Sequence, residues 1–279
     1  MTGGDINLIQ IAEDLSDPIG NLDQSYSTGT WQNTTLACAQ SCAAGSTGAI
    51  EALGLQLGLS GYPTSVTMNG ETLSKTGIQY VENHDHQRFI CNFGTVGVDN
   101  APWDELIKQG DRNNNWSRVQ PYLIALFTAK GTPLLAEGQE ICENYWIPEQ
   151  ISEGRVMVYR PVRWNYFYDE IGKSVIRLFR KLTAIRKAGA QFTEGDHYFI
   201  NDYDRFNSKG LLAFTRTTAT AFSLVVVNFT SEDQTTSYRF PKNGTYTELI
   251  EGNNTVTGVV ANTDQSIKIP SNYGCIWTM

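Results

Sequence analysis

The alternation of strand and helix signals in the first 190 residues is the feature that most restricts the fold of this chain. Short apolar runs are separated by longer stretches with apolar residues at helical spacing, which is typical of a parallel sheet with helical crossovers. The predicted strands are Ile6–Ile11, Ile78–Val81 and Leu134–Ala136, with a weaker one within Gln24–Trp31, and the predicted helices are Ala37–Leu59 (interrupted near Gly45), Arg118–Lys130 and Glu170–Lys187. A complete (β/α)8 barrel takes about 250 residues, so this part has room for roughly half of one.

The sequence changes character after Gly189. Segments rich in β-branched and aromatic residues then alternate with turn sequences, which indicates an all-β module. These segments are Leu211–Thr215, Phe222–Phe229, Thr236–Phe240, Thr245–Ile250 and Ser266–Thr278. We therefore predict two domains: a partial barrel over residues 1–190 and an antiparallel β-domain over residues 191–279.

The charge of the chain restricts its partners. The 279 residues include 29 acidic and 21 basic side chains, which gives a net charge of −8. Nucleic acid binding depends on cationic contacts with phosphates, so this balance argues against a nucleic acid partner. The chain has no apolar run long enough to span a bilayer, so no membrane partner is expected, and it opens without a signal peptide, which favours the cytoplasm. A neutral, polar substrate is compatible with such a chain.

The five cysteines argue for packing rather than for cross-linking. Their number is odd and their spacing is wide, which is not the pattern of a disulfide framework. Only three histidines accompany them, which argues against a zinc site. We interpret the cysteines as small buried hydrophobic residues.

Acidic residues follow three of the predicted strands. They are Glu13 and Asp14 after the first, Asp85 after the second, and Glu137 or Glu140 after the third. In a barrel, residues at the carboxyl ends of the strands face the active site. Glycoside hydrolysis needs one carboxylic acid to protonate the leaving oxygen and one carboxylate to attack or stabilise the oxocarbenium-like centre. Acidic residues at strand ends are also ordinary loop formers and helix caps, so placement alone leaves both interpretations open.

Several motifs, taken in order, resemble the α-amylase superfamily of glycoside hydrolases and transglycosylases (glycoside hydrolase family 13). They are Ile11–Asp14, Asn83-His84-Asp85 followed by Arg88, Gly131–Leu135, Gly138-Gln139-Glu140, and Trp164 with the helix that ends at Lys187. The Ile-Ala-Glu form of the first motif is most similar to the branching enzymes and the maltooligosyltrehalose trehalohydrolases. A terminal β-domain also fits this family. The resemblance implies that the α/β part is a partial (β/α)8 barrel comprising about strands five to eight.

The resemblance implies a role for each of four residues. Glu13 would be the general acid/base, and Asp85 would be the carboxylate that binds the distorted sugar and stabilises the transition state. His84 and Arg88 would bind substrate, His84 by hydrogen bonds to sugar hydroxyls. Three of them have a plainer alternative: Glu13 could cap the structure after its strand, His84 could be a packed histidine, and Arg88 could be a solvated loop charge.

The sequence departs from the family pattern in one respect. The family's nucleophilic aspartate lies on the fourth barrel strand, and no residue of this sequence matches it. Because the usual calcium ligands also lie mostly in the earlier half of the barrel, we expect no metal and no cofactor. Losing a nucleophile typically costs many orders of magnitude in rate, so we expect weak or no hydrolysis by these residues alone.

Two further expectations follow, the first from half a barrel and the second, the substrate, from the resemblance. The first and last strands of half a barrel would be open edges, which predicts a homo-oligomer or a partner chain that covers them. The expected substrate is an α-glucan such as starch, glycogen or a maltooligosaccharide. The alternatives are a non-catalytic remnant that binds glucan or another protein, and a fragment of a longer enzyme. Hydrolysis or transfer, and α-1,4 or α-1,6 bonds, stay open.

Overall fold

The computed structural model describes residues 9–97, 108–147 and 162–279. The strands of the first part are β1 (Ile11–Ala12), β2 (Gly29–Gln32), β3 (Ser65–Met68), β4 (Glu71–Ser74), β5 (Thr76–Gln79), β6 (Thr95–Gly97), β7 (Lys108–Gly110) and β8 (Thr132–Pro133). The helices are α1 (Pro18–Gln24), α2 (Asn33–Ala43), α3 (Ala49–Leu57), α4 (Arg112–Asn115), α5 (Gln120–Thr128), α6 (Glu170–Ala188) and α7 (Ala190–Thr193).

A four-stranded parallel sheet organises this part, in the order β1-β2-β5-β8. The helix α1 connects β1 to β2, α2 and α3 lie between β2 and β5, and α5 lies between β5 and β8. Each parallel pair therefore has a helical crossover, which confirms the predicted partial α/β barrel architecture. The hairpins β3–β4 and β6–β7 are antiparallel insertions between these elements.

Several of the predicted elements have different bounds in the structure, the strands of the parallel sheet among them. The weak strand signal within Gln24–Trp31 corresponds to β2, and residues 6–8 of the first predicted strand lie outside the described residues. The predicted strand Leu134–Ala136 is wrong, because strand pairing occupies Thr132–Pro133 instead. Gly131, with a φ of 81°, turns the chain directly into the sheet. The amide of Leu134 then donates to the Gln79 carbonyl at 2.8 Å, and the apolar residues follow the strand.

The C-terminal part is all β and begins at β9 (Asp196–Phe199). The remaining strands are β10 (Leu211–Thr217), β11 (Phe222–Asn228), β12 (Gln234–Arg239), β13 (Gly244–Glu248), β14 (Val256–Val259), β15 (Asp264–Ile269) and β16 (Tyr273–Thr278). Six of them form one antiparallel sheet in the order β14-β13-β16-β11-β10-β9, and β12 pairs with β15. The central strands β10 and β11 are buried on both faces, because one face packs against the helices and the other against the rest of the β-domain.

One hydrophobic core joins the two parts. It includes Leu126 of α5 and Phe179 of α6 together with Phe214, Val225 and Ile276 of the β-sheet. These side chains are almost completely removed from solvent. Burial of this kind contributes about 25 cal/mol for each Å² of apolar surface, so the helices and the sheet stabilise each other.

Two arginines, the buried Arg216 and the half-buried Arg186, reinforce this junction at the end of α5. The guanidinium of Arg216 donates to the Thr128 carbonyl at 2.7 Å, and that of Arg186 donates to the Phe127 and Ala129 carbonyls at 2.7 and 3.1 Å. The last carbonyls of a helix have no partner within it, so these contacts satisfy groups that would otherwise be buried alone. Burial, with a smaller contribution from the neighbouring Arg186, lowers the pKa of Arg216 to about 9.

All five cysteines are free thiols, three of them buried, in agreement with the expected packing role. Among the residues that the structure describes, no helix is both long and apolar enough to cross a membrane.

The partly buried imidazole of His197 predicts a loss of stability in mild acid. Burial, with help from Arg216 and Lys130, lowers the pKa of His197 from 6.5 to about 3. The unfolded chain therefore binds a proton at this residue between these values while the folded chain does not, so stability falls as the pH falls through this range. The variant His197→Phe removes the group that takes up this proton on unfolding. The slope of the unfolding free energy against pH should therefore fall by up to about 1.4 kcal/mol per pH unit. Urea unfolding at several pH values measures both slopes, and equal slopes would contradict the prediction.

Candidate active site

Three of the predicted site residues lie together at the carboxyl edge of the parallel sheet. Glu13 follows β1 directly, and His84 and Asp85 lie in the loop after β5. One ligand atom from each, two carboxylate oxygens and one imidazole nitrogen, lie within 4.8 Å of one another. Glu13 and His84 are exposed and Asp85 is half-buried. The structure therefore brings the proposed acid/base, the proposed stabilising carboxylate and a hydrogen-bonding imidazole into one cluster.

The buried side chain of Asn83 shapes the loop that carries two members of the cluster. Its Oδ1 accepts a hydrogen bond from the amide of Asp85 at 3.0 Å and lies 2.7 Å from Nδ1 of His86. This amide turn holds the backbone of Asp85 in place. The His84 Nε2 lies 3.6 Å from a carboxylate oxygen of Asp85, so the two side chains face the same space.

Arg88 lies beside this cluster rather than in it. Its Nη1 donates to Oε1 of Glu82 at 3.1 Å, and its Nη2 donates to the carbonyl of Glu137. The other Glu82 oxygen, Oε2, accepts from the amide of Phe89 at 2.6 Å. Burial raises the pKa of the Glu82 carboxyl, and the Arg88 guanidinium opposes that rise. Substrate binding by Arg88 stays a prediction, and Glu82 is a residue that the sequence analysis did not select.

Two aromatic residues also reach the cluster and were missed in the sequence. The ring of Trp31, the penultimate residue of β2, lies edge to face against Tyr80 and His84, with ring centroids 5.2 and 5.8 Å from its own. The Tyr80 hydroxyl donates to Oδ1 of Asn33 at 3.1 Å, and burial raises the pKa of Tyr80. The available signal was that Trp31 ends a strand, but that strand was the weakest of those predicted.

An open cleft of about 330 Å³ lies beside the cluster. Trp31, His84, Leu134, Glu137 and Tyr145 are among the residues that line it. Clefts that combine aromatic faces with a few polar groups suit small polar ligands, because rings stack on the aromatic faces and the polar groups fix their orientation.

The other strand-end acidic residues have different surroundings. Asp14 accepts hydrogen bonds from the amide and the hydroxyl of Ser16 at 3.2 and 2.7 Å. The Ser16 hydroxyl and the neighbouring amides hold the pKa of Asp14 below its usual value, so this residue stabilises a turn. Glu137 is exposed at the cleft wall, and Glu140 is half-buried in the turn that follows.

The cluster could also hold a cation by its geometry. A histidine nitrogen and two carboxylate oxygens within 4.8 Å are donors that a divalent metal accepts. Exposed acidic groups often lie this close without an ion, and the resemblance implies no metal at these positions, so we assign none.

The comparisons with known proteins agree with this description. Residues 204–278 match the family model described as the alpha amylase C-terminal all-beta domain. A search of curated proteins gives no match.

Several solved structures are similar over nearly the whole chain. AmyP in complex with maltose has a TM-score of 0.69 at 12% identity, covering 97% of this chain and 55% of that one. The Geobacillus thermoleovorans α-amylase in complex with acarbose has a TM-score of 0.67 at 19% identity, covering 97% and 53%. The noncanonic maltogenic α-amylase AmyB from Thermotoga neapolitana has a TM-score of 0.64 at 19% identity, covering 98% and 54%.

The chain thus spans about half of the length of each of these enzymes. At such low identity the likeness shows the fold, and the resemblance inferred from the sequence is confirmed at that level. The α-amylase-type β-domain and the partial α/β sheet are both present.

Removing the Asn83 side chain tests whether the Asp85 loop depends on it. The variant Asn83→Ala leaves the amide of Asp85 without its acceptor in a mostly buried place, which should lower the unfolding free energy by about 1–3 kcal/mol. Urea unfolding measures this loss. The matched control is Asn113→Ala at an exposed position, where a change within about 0.5 kcal/mol is expected. Equal effects of the two variants would contradict the role given to Asn83.

Proposed function

We propose that this chain, which has the fold of α-amylase-type enzymes over nearly its whole length, carries part of a glycosidase site for α-glucans. The observation that carries the proposal is the convergence of Glu13, His84 and Asp85 within 4.8 Å at the carboxyl edge of the parallel sheet. The similar structures that contain maltose and acarbose support an oligosaccharide as the ligand. Starch, glycogen and maltooligosaccharides are the proposed substrates.

Each residue of the cluster has a proposed chemical role. Glu13 is exposed at the mouth of the sheet, where a carboxylic acid can protonate the oxygen of a departing sugar. Asp85 supplies the negative charge that stabilises the oxocarbenium-like centre. His84 donates to a sugar hydroxyl and orients the ring, and Arg88 borders the same cleft.

The covalent step of a retaining mechanism needs a further carboxylate. The resemblance assigns that step to an aspartate on the strand before Glu13, and no residue of this sequence matches it. Glu13 and Asp85 are close enough to act on one sugar, but the resemblance makes neither of them the nucleophile. We therefore propose that these residues bind α-glucan and hydrolyse it weakly or not at all on their own.

The second candidate is a non-catalytic glucan-binding or protein-interaction module. The absence of a matching nucleophile from the sequence favours it, whereas the assembled cluster favours the enzyme.

We also propose the division into domains at residue 190, which the start of β9 at Asp196 and the family match from residue 204 support.

The free edges of the parallel sheet support a proposal of self-association or of a covering partner chain. In the described part of the chain, β1 pairs only with β2, and β8 pairs only with β5. Near the first edge, Ile9 and Ile11 are exposed by 78% and 51%, and near the second Leu135 is exposed by 41%. Unpaired edges with apolar side chains are places where another strand can add.

Starch hydrolysis and glucan binding, measured together, test the function. We expect calorimetry to show maltoheptaose binding that weakens in Asp85→Ala, because the cluster would lose a carboxylate that faces the sugar. We expect release of reducing ends from soluble starch to be no faster than in Glu13→Gln, because the covalent step has no matching carboxylate. Absence of binding would contradict the proposed function. Strong hydrolysis that Glu13→Gln abolishes would contradict the proposed inactivity and establish the enzyme.

Light scattering tests the open edges. We expect an average mass above the 31.0 kDa of one chain that rises with protein concentration. The variant Ile11→Lys should reduce this association, because a lysine at an edge strand opposes pairing. Val260→Lys, at a similarly exposed position of the β-domain, is the matched control. A mass of one chain at every concentration would contradict self-association.

A further inference from the structure

We propose that Glu82 and Arg88 form a clamp that positions His84 and Asp85 for an α-glucan, so that both act as positioning residues of the cluster. This inference rests on the proposed function for its ligand. It rests on geometry for everything else, because the two residues flank the loop that carries His84 and Asp85 and are joined to each other by their side chains.

The clamp closes the base of the loop. Glu82 lies three residues after the end of β5, and its side chain is 4% exposed. Its Oε1 accepts from Arg88 Nη1 at 3.1 Å and its Oε2 from the amide of Phe89 at 2.6 Å, so both oxygens bind the far end of the loop. Asn83 then fixes the interior of the same loop through the amide of Asp85. The backbone between Glu82 and Phe89 is therefore held at both ends and in the middle.

The second arm of Arg88 connects the loop to the opposite wall of the cleft. Its Nη2 donates to the Glu137 carbonyl, in the turn after β8, and its backbone amide donates to the Tyr145 carbonyl at 3.0 Å. Gly138, the residue after Glu137, has a φ of 85°. A Cβ at this position would lie 3.0 Å from Glu143 and 3.5 Å from the Arg88 guanidinium. This close approach favours glycine. One planar guanidinium thus sets the spacing between the cluster loop and a wall of the cleft.

Stability alone does not account for such a pair. Removing two charges from water is expensive, and apolar residues of similar size often stabilise a protein as well as a buried ion pair does. An ion pair differs in fixing direction, since a carboxylate and a guanidinium meet in only a few orientations. This pair lies at the base of the loop that carries His84 and Asp85, so its fixed orientation also fixes the position of that loop.

Histidine NMR tests the clamp without requiring a ligand. The chain has only three histidines, His84, His86 and His197, so their ring resonances can be assigned by substitution. His84 and His86 lie within the clamped loop, whereas His197 stacks on Phe214 in the β-domain, with ring centroids 4.6 Å apart. His84 also lies against the Trp31 ring, so a small displacement changes its chemical shift. His197 serves as the internal reference.

The main variant is the double substitution Glu82→Gln and Arg88→Gln. It removes both charges together, because either single change would leave one buried charge unpaired and could unfold the chain. We expect the resonances of His84 and His86 to move while that of His197 stays in place. Resonances that all stay in place would overturn the proposal by showing a merely structural pair. Movement of all three would also overturn it, by showing general loosening.

Arg88→Lys is the second variant, and it keeps the charge beside Glu82. A single ammonium cannot reproduce the fork that reaches both Glu82 and the Glu137 carbonyl. We expect the same two resonances to move in this variant, by less than in the double variant. Unchanged resonances would overturn the role given to the hydrogen bond from Arg88 Nη2 to the Glu137 carbonyl. This variant remains informative if the double variant does not fold.

Maltoheptaose affinity provides the functional measurement. Displacement of the loop should weaken binding to the double variant by about tenfold, since misplacement on the scale of 1 Å has effects of this size or larger. The matched control is Glu170→Gln with Lys173→Gln, an exposed ion pair on α6, which should leave the affinity unchanged. Equal affinities for the double variant and the original chain would overturn the positioning role. If the original chain does not bind maltoheptaose, the proposed function fails, and the histidine resonances still decide whether the clamp orders the loop.

Discussion

The parallel direction of four strands is the constraint on which the candidate site depends. Because β1, β2, β5 and β8 run the same way, their carboxyl ends lie at one edge of the sheet. Glu13, Trp31 and Asp85 come from distant points of the sequence, and this shared direction brings them to the same edge. An antiparallel arrangement of the same strands would send neighbouring strand ends to opposite edges. The chemistry of the site therefore follows from the helical crossovers that make the sheet parallel.

Packing against the β-domain helps to set the position of β8 at this edge of the sheet. The end of α5 leads into the turn before β8, and its last carbonyls are held by Arg186 of α6 and Arg216 of β10. The core that joins α5, α6 and the six-stranded sheet fixes the same helix along its length. The position of β8, and with it the Glu137 wall of the cleft, thus depends on packing against the β-domain.

The sequence was most informative where local pattern and chemistry coincide. The amphipathic helix predicted over Glu170–Lys187 is observed over Glu170–Ala188, because its apolar stripe is a local signal. The Asn-His-Asp loop was found for its chemistry. Trp31 and Glu82 were missed as site residues because their roles depend on contacts between separate segments, which neither periodicity nor spacing encodes. The last barrel strand was misplaced by about two residues, since an apolar run predicts burial but not strand pairing.

The open edge of the sheet lies beside the residue that we propose as the acid/base. In the described residues β1 has a neighbour on one side only, and Glu13 stands at its carboxyl end. A further parallel strand paired to that edge would lie about 4.8 Å away and would bring its own carboxyl end beside Glu13. The resemblance assigns the nucleophile to a strand in this position. Under the proposed function, a segment that covered this apolar edge would therefore also be placed to supply the nucleophilic carboxylate.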